Sequence, residues 1–172
     1  MSTEKDKIFL LTSRILWYDV SNMKNRLAFE GVLAVIGEPS HSAPSGASGH
    51  RVCLQKEGTK KALASLKGQG IGISSDLSTH DPQKRIGVIT GARIKRGKII
   101  VKGHLWDTDF PQEITRLQAQ EDKLGMSYEI ADAFVPDMRQ EIWELDPNCF
   151  VGAAIVLREK AAHKTTSFKL SR

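Results

Sequence analysis

Along this chain apolar residues fall mostly in short runs or at every second position, the spacing of strands rather than of helices. The run FEGVLAVI at 29–36 reads as a buried strand. A stretch rich in Gly, Pro and Ser follows at 37–49 and must be a long flexible loop, placed where a substrate lid would sit. Residues 57–66 have the spacing of a short helix that Gly68 ends, and 71–74 is a short strand. Two strand-like runs, 86–94 and 98–105, flank Arg96-Gly97 and predict a hairpin. A second helix opens at Asp109-Phe110-Pro111, with Asp109 as N-cap, Pro111 in the first turn and Ile114 and Leu117 on the buried face. It is expected to run to about residue 122 and to stop before Gly125. Three more strands are read at 126–134, 142–145 and 150–157, with Pro136 and Asp146-Pro147-Asn148 turning the chain between them. The pattern predicts an α+β fold, a mainly antiparallel barrel-like sheet with a few flanking helices. One domain covers 1–172, with 1–26 as an N-terminal extension carrying Ile15, Leu16, Trp17 and Tyr18 as anchors.

Composition narrows the class. Hydrophobic residues make up 40% of the 172 and charged residues 26%, ordinary for a globular chain and unlike a disordered one. No apolar run approaches the roughly 18 residues of a membrane span, and no signal peptide is read at the N-terminus. Cys53 and Cys149 are too far apart to suggest a zinc cluster or a disulfide framework. The net charge is +5, with basic residues gathered at Lys84, Arg85, Arg93, Lys95, Arg96, Lys98 and Lys102. They read as a solvated hairpin, since no nucleic-acid motif accompanies them. Nucleic acid is therefore not the expected partner, though a basic nucleic-acid-binding module is kept as an alternative.

Several chemistries find no motif. There is no Walker A run, and Gly68-x-Gly70-x-Gly72 has Ile73 where a dinucleotide fingerprint needs glycine. The five histidines lack metal-ligand spacing, so no metal or cofactor is expected. What remains is Ser127 in Leu124-Gly-Met-Ser-Tyr-Glu-Ile, on a strand rather than a nucleophile elbow. Strand alternation puts Ser127 and Glu129 on one face, about 6.6 Å apart, a gap that an imidazole hydrogen-bonded on both sides would bridge. A serine hydroxyl needs such a base to become a nucleophile. His80, in Ser78-Thr-His-Asp-Pro, lies at a loop end where catalytic groups often sit, with His104 as its rival inside a strand.

Thr79-His-Asp, then Ile86-Gly-Val, a hairpin, a helix and Leu124-Gly-Met-Ser-Tyr-Glu together resemble the prohead proteases of tailed phages, relatives in fold of the herpesvirus assemblins. The likeness spans roughly 28–168, including Gly152-Ala-Ala-Ile-Val-Leu-Arg-Glu-Lys-Ala-Ala, which is similar to that family's final strand and helix. It implies Ser127 as nucleophile and His80 as general base. The family's third member, an acid or histidine on the next strand, falls near Gly152, so another carboxylate must serve. Glu129 is the first choice for its place beside Ser127, Glu144 the second, and Asp76 and Asp81 stay open. Arg158 is the residue expected to help hold an oxyanion.

The resemblance also implies the setting. Expected substrates are the scaffolding protein, the major capsid protein and the protease itself, cut inside the assembling procapsid in the host cytoplasm. A homodimer or higher oligomer is implied, no membrane is involved, and a longer precursor cut at Arg172 is open. A catalytically inactive head-assembly or scaffold protein of the same fold is the other alternative.

Overall fold

A computed structural model describes residues 25–171, so the N-terminal anchors expected at 15–18 lie outside the described residues. The expected α+β fold is the one observed: eight strands in one mostly antiparallel, curled sheet with two helices. In chain order these are β1 (Leu27–Val35), β2 (Arg51–Leu54), α1 (Lys56–Ala62), β3 (Gly70–Gly72), β4 (Arg85–Lys95), β5 (Lys98–Leu105), α2 (Pro111–Ala119), β6 (Leu124–Phe134), β7 (Ile142–Leu157) and β8 (Ser167–Leu170). The sheet runs β2-β7-β3-β4-β5-β1-β8, and β6 pairs with β7.

Alternation decides which way each strand faces. In β5, Ile99, Val101, Gly103 and Leu105 are buried while their neighbours face outward or lie half-exposed. The β4–β5 hairpin turns at Arg96 and Gly97, with φ of 51° and 75°, the two left-handed residues that a two-residue hairpin turn requires. Curling brings opposite ends of the sheet together. Gly31 of β1 leaves room for the Met126 side chain of β6 and the carbonyl of Ser167, and Thr166 Oγ1 accepts from Met126 N at 3.1 Å. Phe29 and Phe168 stack at 5.3 Å in the same region, inside a core that also holds Leu33, Ile89 and Phe150.

Four expectations are corrected. The strands expected at 142–145 and 150–157 are one 16-residue strand, β7, that passes straight through Asp146-Pro147-Asn148. Its first stretch pairs in parallel with β2, a strand the sequence reading did not anticipate, and its later part with β3. Between those two partners this edge of β7 faces α1. Gly58 N donates to Asp146 Oδ1 at 2.9 Å and Phe150 N to Ser65 Oγ at 2.8 Å. A proline costs no ladder bond on such an unpaired edge. Asp109 does not cap α2: Phe110 stands at the N-cap without a side-chain bond, and Asp109 accepts from Asn25 Nδ2 at 2.8 Å. The helix is also shorter than expected, ending at Ala119 before a tight turn at Glu121–Lys123. Finally, no helix follows β7. Ala161, His163 and Thr166 are drawn inward, and the alternating Ser167–Leu170 pairs with β1 as β8.

A Cβ at Gly103 would press on the carbonyl oxygen of Val88 and lie 2.9 Å from the Phe29 ring. Gly103→Ala is expected to lower unfolding free energy by roughly 1–3 kcal/mol through overpacking, measured as a reduced urea midpoint at unchanged slope.

Candidate active site

Strand β6 carries two of the candidate residues. Its register against β7 sets Ser127 opposite Ala154 and Glu129 opposite Gly152. Both line a cleft of about 530 Å³ together with His80, walled by the loop residues Pro44–Ala47 and by Trp143. The long loop expected at 37–49 is therefore part of this wall. It is held down by Ser40 N donating to Val52 O and His41 N to Ala162 O, each at 2.7 Å.

His80 stands on the loop between β3 and β4, and that loop is tightly tied. Leu77 is buried in the core with φ of 57°, and its carbonyl accepts from Leu157 N at 2.8 Å. The Asp76 carboxylate accepts from the hydroxyls of Ser74 and Ser78, which hold its pKa down at about 2. Arg116, reaching across from α2, donates to the carbonyls of Ser74 and Ser75. Lys84, at the end of the same loop, is paired with Glu113 at 2.6 Å. A histidine on such a loop is placed by the surrounding structure rather than by its own rotamer preferences.

At the centre is Glu129. Its Oε1 is 2.9 Å from His80 Nδ1 and accepts from Arg85 Nη1, also at 2.9 Å. Its Oε2 accepts from Arg85 Nη2 at 2.6 Å. Arg85, the first residue of β4, further donates to Ala153 O at 3.2 Å. Burial works against the charge on Glu129, but the bonds from His80 and Arg85 outweigh it and hold the carboxyl at about 2. With Nδ1 engaged, Nε2 is the ring nitrogen left for a partner in the cleft. No hydrogen bond joins His80 to Ser127 among the described residues.

The structure separates the carboxylates that the sequence left open. Among the described carboxylates, Glu129 is the one hydrogen-bonded to the His80 ring. Asp76 is engaged with serines, and Asp81 accepts from Gln83 N at 2.9 Å. Glu144 lines a different cavity beside Cys53, whose thiol is pushed up by burial and by that carboxylate. His104 lies on β5, across from Ala28 and Val88 and outside the cleft. Arg158 is likewise not brought into the cleft: its Nη2 donates to the carbonyls of Asp122 and Leu124 at 3.1 and 3.2 Å. The residue that the sequence reading missed is Arg85, grouped there with the basic hairpin although it starts the strand that follows the His80 loop.

Gly152, opposite Glu129 on β7, leaves room for the Arg85–Glu129 pair. A Cβ there would sit 2.5 Å from Glu129 Oε2 and 3.1 Å from Arg85 Nη1. The space that a side chain at 152 would take is filled by the carboxylate and guanidinium instead.

No protein-family model and no curated protein matches the sequence. Solved structures do match, among them the KSHV protease in complex with a hexapeptide phosphonate inhibitor. That structure is 12% identical with a TM-score of 0.48, over 85% of this chain and 65% of that one. The chain thus spans less than two thirds of that protein's length.

Two outcomes are expected from this site. Glu129 has a folded pKa near 2 against an ordinary 4.5, so its stabilising contribution is complete above pH 4.5 and is lost as pH falls through 2. The stability gap between wild type and Glu129→Gln should therefore narrow over that window, as read by denaturant unfolding at a series of pH values. Gly152→Ala should displace the carboxylate, which a changed His80 ring signal in the NMR spectrum would report while the remaining spectrum stays folded.

Proposed function

We propose that this protein is a serine endopeptidase in which Ser127 attacks the scissile carbonyl, His80 is the general base and Glu129 orients it. The observation that carries the reading is the meeting of the three in one cleft, with Glu129 on the His80 Nδ1 side. That bond fixes the tautomer and turns Nε2 to the work of taking the serine proton and returning it to the leaving amine. Water then hydrolyses the acyl-enzyme by the same route in reverse. The carboxylate stays ionised throughout, because Arg85 and the ring hold its pKa far below neutral.

The finer identity is a prohead protease that cuts scaffolding and capsid proteins, and itself, inside the assembling procapsid of a tailed phage. It rests on the resemblance of Thr79-His80-Asp81 and Leu124–Glu129 in their order and setting. Assembly as a homodimer or larger oligomer belongs to the same proposal. Backbone amides of the cleft rather than the Arg158 side chain are the donors proposed for the oxyanion, given where Arg158 is anchored.

The test is covalent. A fluorophosphonate should form an adduct located by mass spectrometry on Ser127, and Ser127→Ala or His80→Ala should lose at least on the order of 10³-fold in adduct formation or self-cleavage, with a smaller loss for Glu129→Gln. A wild-type protein that forms no adduct and cleaves neither itself nor scaffold, yet co-assembles with capsid subunits, would be the inactive assembly protein instead.

A further inference from the structure

The Arg85–Glu129 pair carries more than the charge of a basic strand end. An arginine bound through both Nη atoms to both carboxylate oxygens is the most rigid arrangement available to such a pair. Here the pair is also anchored from outside, through Arg85 Nη1 to the β7 carbonyl of Ala153. The side chains of Arg85 and Glu129 are only 25% and 18% exposed, so the pair lies largely out of bulk solvent. One oxygen, Glu129 Oε1, is shared between the guanidinium and the His80 ring. The two partners of that oxygen lie within about 6 Å of each other, close enough for a charge on one to disfavour a like charge on the other.

We propose that Arg85 is a positioning residue of the catalytic site, one that aims the Glu129 carboxylate at His80 and offsets its charge, so that a proton on the ring is less favoured with Arg85 present than without it. The inference rests on the protease reading only in calling the site catalytic. A carboxylate facing an imidazole does two things at once. It orients the ring, and it also favours ring protonation, which disables a base. Arg85 keeps the first effect and counters the second. The other charged groups around the ring do not duplicate this. Asp76 and Asp81 of its own loop are turned to Ser74, Ser78 and the Gln83 amide. Lys84 is held by Glu113 of α2, and Asp132 of β6, which lines the same cleft, accepts from Asn148. Gly152 completes the arrangement, because any side chain there would intrude on both partners.

The experiment uses the full chain with diisopropyl fluorophosphate as the serine-directed probe. The inactivation rate is followed from pH 5 to 9 in wild type, Arg85→Gln and Arg85→Lys, and His80 ring protonation is followed in parallel by NMR on histidine-labelled protein. Arg85→Gln should move both the acid limb of the rate profile and the ring titration to higher pH by about one unit. Arg85→Lys keeps a cation but cannot span both oxygens. It should leave the profile where it is in wild type and lower its plateau about tenfold. A ring titration that is the same in wild type and Arg85→Gln overturns the inference. So does an Arg85→Lys protein with the wild-type plateau, a result that decides the matter even where Arg85→Gln fails to fold. A wild type that never reacts with the probe, while its ring titration still moves on Arg85→Gln, refutes the protease reading and leaves the electrostatic coupling standing.

Discussion

A carboxylate that is mostly withdrawn from water must be matched by partners or it loses its charge. Glu129 is matched three times, twice by Arg85 and once by His80, both partners coming from the stretch that leads into β4. The strand β6 supplies the acid, the start of β4 the guanidinium, and the loop before β4 the imidazole. Arg85 then reaches β7 through the carbonyl of Ala153. Three stretches distant in sequence, residues 80–85, β6 and β7, thus meet around one charge. Their mutual placement follows from the order of the sheet, in which β7 is flanked by β6 and β3, and β3 by β4.

That order is made possible by places where side chains are missing. Gly31 lets β6 lie close to β1 where the sheet curls, and Gly152 opens the space in which the acid and the arginine meet. The loop bearing His80 is fixed by means of its own: a buried leucine, a serine–aspartate cluster and an arginine from α2. The cleft is therefore built from rigid parts on the side of the candidate chemistry and from the glycine- and proline-rich loop on the other.

Much of this was legible in the chain, for identifiable reasons. Alternating burial and the Arg96-Gly97 turn mark the β4–β5 hairpin because both depend on neighbours in sequence. Ser127 and Glu129 share a face by strand period alone. Other features depend on contacts far along the chain. The Asp-Pro-Asn within β7 has the chemistry of a turn and runs on as strand, paired with β6 along one edge and met by α1 on the other. Asp109 has the chemistry of a cap, but Asn25, 84 positions away, engages it instead. Arg85 could not be told from the other basic residues until Glu129 stood opposite it. Arg158 had the right charge for an oxyanion and the wrong address, since the turn before β6 holds it.

Ser127 and Glu129 stand two residues apart on one strand, whereas His80, bonded to Glu129, comes from a loop. Any sliding or bending of β6 carries the hydroxyl and the carboxylate along together, so their spacing is as durable as the pleat itself. The histidine is the one part of this trio with a separate attachment. The geometry of the site accordingly rests on the ties at Leu77 and Arg116, which set how far the ring stands from a strand whose own two residues cannot part.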